Sequence, residues 1–268
     1  MRPLKDLMDL SGRRALVTGG AGHIALAVAQ GLREAGAKLM LLDLDAKALQ
    51  SRALRLREQA GKAAVEWLAC DLKDEGETRA SVRGSIRKMK GLDILVHCAA
   101  YVGTTSADGW AVAFDKQTVE AWDAALRVNL TCAFVMVQEG RRALAETGHG
   151  SVILFGSTYG LVGPDLRLYE KTPMANPVGY GASKGGLLQL TRTLATQLAP
   201  KIRVNAISPG GVWRGQPKVF QERYVSKTPL SRMAKEEDLK GAVVYLASDL
   251  SSYVTGHNLV VDGGWTAW

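Results

Sequence analysis

Arg14-Ala-Leu-Val-Thr-Gly-Gly-Ala-Gly22 is the stretch whose reading decides the fold. Arg14 to Thr18 is a short apolar run, and Gly19-Gly-Ala-Gly22 interrupts it. Beyond the glycines, Ile24, Leu26, Val28, Ala29 and Leu32 continue to about Ala35, a helical segment for which Gly36 is a natural stop. A buried strand, a glycine turn and a helix therefore follow one another. Backbone N–H groups of such a turn, with a helix N-terminus behind them, cradle a phosphate, and glycine lets the ligand approach. Taken alone, the same turn is equally a tight reversal of the chain.

The alternation continues downstream. Lys38 to Leu42 reads as a second strand ending in Asp43, and Ala46 to Ala60 as a helix stopped by Gly61. Ala64 to Ala69 is a third strand followed by Asp71, Glu75 to Met89 a helix, and Leu92 to Val96 a fourth strand. Strands alternating with helices imply parallel pairing through right-handed crossovers, hence an α/β fold with a doubly wound parallel sheet. After a polar loop at Tyr101 to Lys116, one long helix is expected from about Thr118 to Glu146. A strand at Val152-Ile-Leu-Phe155, a long loop and a helix to about Leu198 come next. Ile202 to Ile207 is a further strand, Ser208 to Met233 reads as irregular or only locally helical, Glu236 to Ala247 as a helix, and Asn258 to Asp262 as the last strand. No repeat or linker divides the chain, so residues 1–268 are expected to form a single domain.

Composition narrows the partners. No apolar run approaches the length of a membrane span, and Met1 to Leu10 mixes charges among its apolar residues, unlike a secretory signal. A cytoplasmic protein without membrane contact is expected. Cys70, Cys98 and Cys132 then read as reduced, buried thiols, and the four histidines show no metal-ligand spacing. The formal charge of +8 is spread over helix faces with no interleaved aromatics, which argues against nucleic acid. A basic surface does concentrate anionic ligands.

Chemistry is concentrated between Ser151 and Leu198. Tyr180 and Lys184 share one face if their segment is helical. A tyrosine is a poor base at its ordinary pKa of about 10. An ammonium beside it favours the phenolate. Gly156-Ser157, at the carboxyl end of a buried strand, offers a hydroxyl that can hold an alcohol or carbonyl against Tyr180. Asp43 ends the second strand, where a carboxylate hydrogen-bonds an adenosine ribose and repels a 2′-phosphate. This favours NAD(H) over NADP(H).

The chain resembles the short-chain dehydrogenase/reductase family, in its single-domain branch, over nearly its whole length. The matching elements are Thr18-Gly19 with the glycine turn, Asp43, Asp71-Leu72, His97-Cys-Ala-Ala100, Asn129, Ser157, Tyr180 with Lys184, Pro209-Gly210 and Val261-Asp-Gly-Gly264. The resemblance implies a Rossmann-like fold in which Gly19, Gly22, His23 and Ile24 line the pyrophosphate. Asp71 and Leu72 would contact the adenine and Ala99 the cofactor ribose. Pro209 to Val212 would hold the nicotinamide. Asn129 would hold a water in a proton relay, Ser157 would orient the substrate oxygen, and Tyr180 would be the general acid or base. Lys184 would bind the nicotinamide ribose and depress the tyrosine pKa. The helix carrying Trp122, the glycines Gly185 and Gly186, and the last strand resemble the interfaces of a homodimer or homotetramer in this family. The apolar end Trp265 to Trp268 is expected to dock on its own or a neighbouring subunit.

The departures from the family pattern matter. His23 and Ala25 stand where glycines are usual, and Arg214 stands where a threonine contacts the cofactor. That arginine puts a cation near the substrate mouth. The segment between Ser157 and Tyr180 is longer than usual and carries Arg167, Tyr169, Glu170 and Lys171. Segments 158–178 and 209–235 are therefore expected to build the substrate pocket, with Tyr159, Arg167 and Arg214 as its candidate contacts. The motifs around Pro164 to Glu170, Lys184 to Arg192 and Pro209 to Pro217 resemble a subgroup associated with bacterial surface-sugar biosynthesis. The resulting expectation is an NAD(H)-dependent oxidoreductase interconverting an alcohol and a carbonyl on a polar, sugar-like small molecule. The rival readings are a ketoreductase or polyol dehydrogenase for an uncharged substrate, and a cofactor-binding regulator without turnover.

Overall fold

The structure is a computed structural model and describes residues 1–59 and 65–268. The helix end expected at Ala60 and Gly61, and the strand start expected at Ala64, lie outside the described residues. In chain order the elements are α1 (Leu4–Met8), β1 (Arg14–Thr18), α2 (His23–Glu34), β2 (Lys38–Asp43), α3 (Ala46–Gln59), β3 (Val65–Ala69), α4 (Glu75–Met89) and β4 (Ile94–His97). Then come α5 (Val119–Leu126), α6 (Cys132–Glu146), β5 (Gly150–Phe155), α7 (Val178–Leu198), β6 (Ile202–Pro209), α8 (Lys218–Ser226), α9 (Lys240–Ala247) and β7 (Asn258–Val261).

The seven strands form one sheet in the order β3-β2-β1-β4-β5-β6-β7, and every pair is parallel. The chain winds outward from β1 to β3, then returns to the other side of β1 and winds the opposite way. That reversal leaves a crevice at the carboxyl ends of β1 and β4, where Thr18 stands beside His97. Helices cover both faces, so strand residues are buried on both sides. Val17, Leu41, Val96, Ile153 and Ile207 face a core shared with Val28 and Leu32 of α2 and Val243 of α9. Leu16, Met40, Leu95, Val152 and Leu154 face the opposite core with Val82, Met136 and Leu187. The strict alternation between the two cores is the strand period of two.

One expected element is corrected. The long helix from Thr118 is broken by a π turn at Arg127–Thr131. There the Cys132 N–H donates to the Arg127 carbonyl, five residues back. The Val128 carbonyl, which that N–H would serve in an α-helix, accepts the Cys132 thiol at 2.8 Å instead. Such a turn inserts one residue and re-aims the side chains that follow. It falls on Asn129. The stretch from Ser208 to Met233, expected to be irregular or only locally helical, carries one short helix, α8. Its Phe220 and Tyr224 bury themselves against Leu168, Met233 and Trp265, so its helicity rests on tertiary packing. The short α1, which buries no residue, was also unexpected. The chain end docks on its own chain: Trp265 stacks on Tyr224 at 4.4 Å, and Trp268 Nε1 donates to the Lys227 carbonyl at 3.2 Å. Among the described residues no helix is long and apolar enough to cross a membrane.

Arg14 and Asp93 tie β1 to the start of β4 with Nε to Oδ2 at 2.7 Å and Nη2 to Oδ1 at 3.1 Å. Burial raises the Asp93 pKa, but the hydrogen bonds from Arg14 and Thr147 outweigh it and hold the carboxyl below its usual range. Asp93→Ala should therefore lose about 3 kcal/mol of stability at neutral pH, read by urea unfolding. A depressed folded pKa stabilises above the unfolded value and stops doing so as pH falls through the folded one. The gap between wild type and variant should accordingly narrow in acid.

Candidate active site

A cleft of about 680 Å³ runs across the carboxyl ends of the central strands. Gly19, Gly22, His23, Ile24, Asp43, Asp71 and Leu72 line one end; Ser157, Tyr159, Tyr180, Pro209, Val212 and Arg214 line the other, and Ala99 stands along the wall.

At the glycine end, Gly19 has φ +73°, and a Cβ there would come within 2.8 Å of the Ala99 nitrogen. Only glycine satisfies both demands. The Gly22 N–H closes the turn onto the Gly19 carbonyl at 2.8 Å. α2 then begins with no side-chain cap, which leaves the N–H groups of its first turn for a ligand. The Asp43 carboxylate accepts from the Ala21 N–H at 3.0 Å, so it buttresses the turn as well as lining the cleft. Ala25 packs into the core. The His23 ring is largely exposed, with Nδ1 3.8 Å from a Glu236 carboxylate oxygen. The two replacements of the usual glycines thus leave the cradle open. An uncapped helix start beside a carboxylate at the end of the second strand suits a dinucleotide.

Beneath the crevice, the Thr18 hydroxyl accepts from the Cys98 and Ala99 N–H groups, both at 3.2 Å, and lies 2.8 Å from His97 Nδ1. With both lone pairs engaged, the hydroxyl donates to Nδ1, which places the ring proton on Nε2. Burial, followed by the Lys184 charge, pulls the His97 pKa down to about 3, so the ring is neutral.

At the other end, α7 presents Tyr180 and Lys184 four residues apart. Lys184 is 2% exposed, donates to the Phe155 carbonyl at 2.7 Å and stands 5.8 Å from the Tyr180 ring centroid. Burial lowers its pKa to about 8. The expected depression of the tyrosine by Lys184 is not what this arrangement produces. Burial raises the Tyr180 phenol, opposed by the Ser157 hydrogen bond and by the charge of Arg214.

The Asn129 side chain is engaged with protein groups. Its Oδ1 accepts from the Tyr101 N–H at 2.6 Å, and its Nδ2 donates to the Tyr101 carbonyl at 3.2 Å and to Ser183 Oγ at 2.9 Å. Both amide protons are used, and the side chain clamps the loop after β4 instead of lining the cleft. Arg167 is a second correction. Its side chain is 77% exposed and pairs with Asp165 at 2.8 Å, away from the cleft wall, because its short helical turn is capped by that same aspartate.

Tyr169, named from the sequence only as part of the long loop, lines the cleft, and so do Phe220 and Tyr224, which were not singled out. Tyr169, from the long loop, places its Oη 2.9 Å from Tyr159 Oη, with Asn176 Nδ2 at 3.5 Å. Tyr224 Oη accepts from the Gly211 N–H at 2.6 Å. Tyr169, Phe220, Tyr224 and Trp265 form a ladder of rings with successive centroids 5.4, 6.0 and 4.4 Å apart. The spacing of Phe220 and Tyr224, four apart, was the available signal. Gly186 has its own explanation, since a Cβ there would lie 2.8 Å from Leu130 Cδ2 just past Asn129.

A family model described as enoyl-(acyl carrier protein) reductase matches residues 19–266. The chain belongs to the short-chain dehydrogenase/reductase family. The 4-formylbenzenesulfonate dehydrogenase of Comamonas testosteroni is 34% identical over 96% of this chain and 99% of its own. The ribulose-forming D-arabinitol 2-dehydrogenase of Scheffersomyces stipitis is 32% identical over 97% and 95%. Among solved structures, a short-chain type dehydrogenase/reductase from Mycobacterium marinum superposes with a TM-score of 0.85 at 31% identity, covering 100% of both chains. A short-chain dehydrogenase from Leptospira borgpetersenii with bound NAD+ has a TM-score of 0.82 at 32% identity, covering 99% and 96%. A gluconate 5-dehydrogenase from Burkholderia cenocepacia, in complex with NADP and tartrate, has a TM-score of 0.84 at 27% identity, covering 99% and 100%. Family membership carries oxidoreduction with a nicotinamide cofactor and leaves open which dinucleotide this chain prefers.

Replacing Asn129 by alanine would strand the Tyr101 N–H and carbonyl in a part-buried site and leave Ser183 Oγ without its amide donor. The variant should lose about 2–3 kcal/mol in chemical denaturation. Faster hydrogen exchange at Tyr101 and Val102 would locate the loss in that loop.

Proposed function

We propose that this protein interconverts an alcohol and a carbonyl of a small, polar, sugar-like molecule, using NAD(H). The observation that carries the proposal is one cleft with a glycine turn and an uncapped helix start at one end and Tyr180 and Ser157 at the other, with Lys184 buried beside Tyr180 and outside the lining. When bound, the nicotinamide supplies or takes the hydride, and the protein must position the reactants and move one proton. Gly19, Gly22, His23 and Ile24 would receive the diphosphate, Asp43 and Ala99 the riboses, Asp71 and Leu72 the adenine, and Pro209 to Val212 the nicotinamide end. Ser157 holds the reacting oxygen. Tyr180 gives its proton in reduction and takes one in oxidation. Lys184 would hold the nicotinamide ribose while also donating to the Phe155 carbonyl. Asn129 enters the scheme through the Tyr101 loop it clamps.

The choice of NAD(H) rests on Asp43, whose charge opposes a 2′-phosphate. Relatives named for an arabinitol and a formylbenzenesulfonate support alcohol–carbonyl chemistry on polar substrates. The hydroxyls of Tyr159 and Tyr169 and the amides of Asn176 and Gln216 favour a substrate rich in hydroxyl groups.

Titration of the purified protein by nicotinamide fluorescence should give NADH binding at least about tenfold tighter than NADPH, and Asp43→Ser should narrow that ratio. Tyr180→Phe should lower kcat by about 100-fold or more while leaving the NADH dissociation constant within about twofold. Normal turnover by that variant would overturn the mechanism. Because burial holds Tyr180 as the phenol, alcohol oxidation should rise with pH from neutral into the alkaline range and carbonyl reduction should fall. Initial rates in both directions across that range check the sign.

A further inference from the structure

Charge is unevenly placed along the cleft. Its carboxylates, among the described residues, are Asp43 and Asp71, and both stand at the glycine end. Around Tyr180 the lining mixes hydroxyl, amide, aromatic and aliphatic groups, and among the described residues its charged side chain is Arg214. Neighbouring cations on this rim are engaged. Arg167 and Lys227 pair with Asp165, and Arg232 with Asp238. Arg223 donates to the backbone carbonyls of Arg167 and Glu170. No carboxylate among the described residues pairs with the Arg214 guanidinium.

The backbone that carries Arg214 is held on both sides. Its own N–H donates to Gln216 Oε1 at 2.7 Å, while Gln216 Nε2 donates to the Val212 carbonyl at 2.8 Å. The Trp213 N–H donates to the Ala234 carbonyl at 2.8 Å, and Val212 bridges to Ala234. A stapled turn therefore presents an unpaired guanidinium into the same end of the cleft as the Tyr180 phenol. The guanidinium fork matches a carboxylate bidentately, and the nearby Asp165 and Asp238 are held by other cations.

We propose that the substrate carries a carboxylate, received by Arg214 while its alcohol or carbonyl carbon sits at Tyr180. This rests on the oxidoreductase reading above and narrows the substrate to hydroxy acids and oxo acids. Arg214 is a substrate-binding residue in this scheme, and the tyrosine wall packs the body of the acid.

The test compares matched acids and amides: lactate with lactamide, cyclohexanecarboxylate with its carboxamide, and gluconate with gluconamide. Each is titrated at low ionic strength against the NADH-saturated protein by nicotinamide fluorescence, and against the protein alone by tryptophan fluorescence, with Trp213 adjacent to the arginine. At least one acid should bind about tenfold more tightly than its amide. Arg214→Gln should abolish that ratio, Arg214→Lys should keep part of it, and neither should move the NADH dissociation constant more than about twofold. A ratio near one for every pair, or a ratio that survives in Arg214→Gln, overturns the proposal. So does a loss of NADH affinity equal to the loss for the acid, which would assign Arg214 to the cofactor. Absence of binding by both NADH and NADPH would instead sink the oxidoreductase reading, and the titration without cofactor would still decide whether Arg214 selects acids.

Discussion

One threonine hydroxyl holds the place where the sheet reverses its winding. At the carboxyl ends of β1 and β4 no connecting loop crosses the gap, so something must keep the two strand ends in register as they diverge. Thr18 does this by accepting from two successive amides after β4 and donating to His97. Gly19 follows at once and runs so close to Ala99 that no side chain fits between them. The glycine turn on one side and the wall of the cleft on the other both take their positions from this contact. The buried imidazole beneath it stays neutral and uses its remaining N–H toward Cys132, Sγ 3.7 Å away.

The opposite end of the cleft is governed by desolvation. Lys184, His97 and Tyr180 each shift in the direction that disfavours charge in a dry site: the amine and imidazole go down and the phenol goes up. Against that background, groups that touch the wetter cleft have the larger say over Tyr180. Ser157 and Arg214 stabilise the phenolate, whereas Lys184 is committed to the Phe155 carbonyl. An outer shell then closes over the rim. The loop containing Leu168, α8 and the chain end form their own small core, with ring stacking from Tyr169 to Trp265. It is joined to the sheet through the Tyr224 hydroxyl on Gly211.

Much of the fold was legible because the central strands are buried and short, and because glycine marks many of the reversals. Tyr180 and Lys184 were legible for a similar reason, since four-residue spacing on a helix fixes a shared face without any tertiary knowledge. Arg167 and Arg214 show where that legibility ends. Both are cations in segments expected to surround the site. Only contacts distant in sequence or specific to loop geometry turn one toward Asp165 and leave the other facing the phenol. Asn129 is a comparable case: its position was evident, but the π turn that directs its amide to Tyr101 leaves no periodic trace.

The sequence alone determined the doubly wound sheet, the glycine cradle with Asp43, and the pairing of Tyr180 with Lys184. Each of these follows from local periodicity, a forbidden backbone region or a fixed helical spacing. The tertiary structure alone decided that α8 is a helix, that Tyr169 reaches the wall of the cleft, and that the chain end folds back onto its own chain. It also decided the directions in which the buried ionisable groups shift. Those outcomes depend on which surfaces meet and how much water their meeting expels, and neither is encoded in any single stretch of residues.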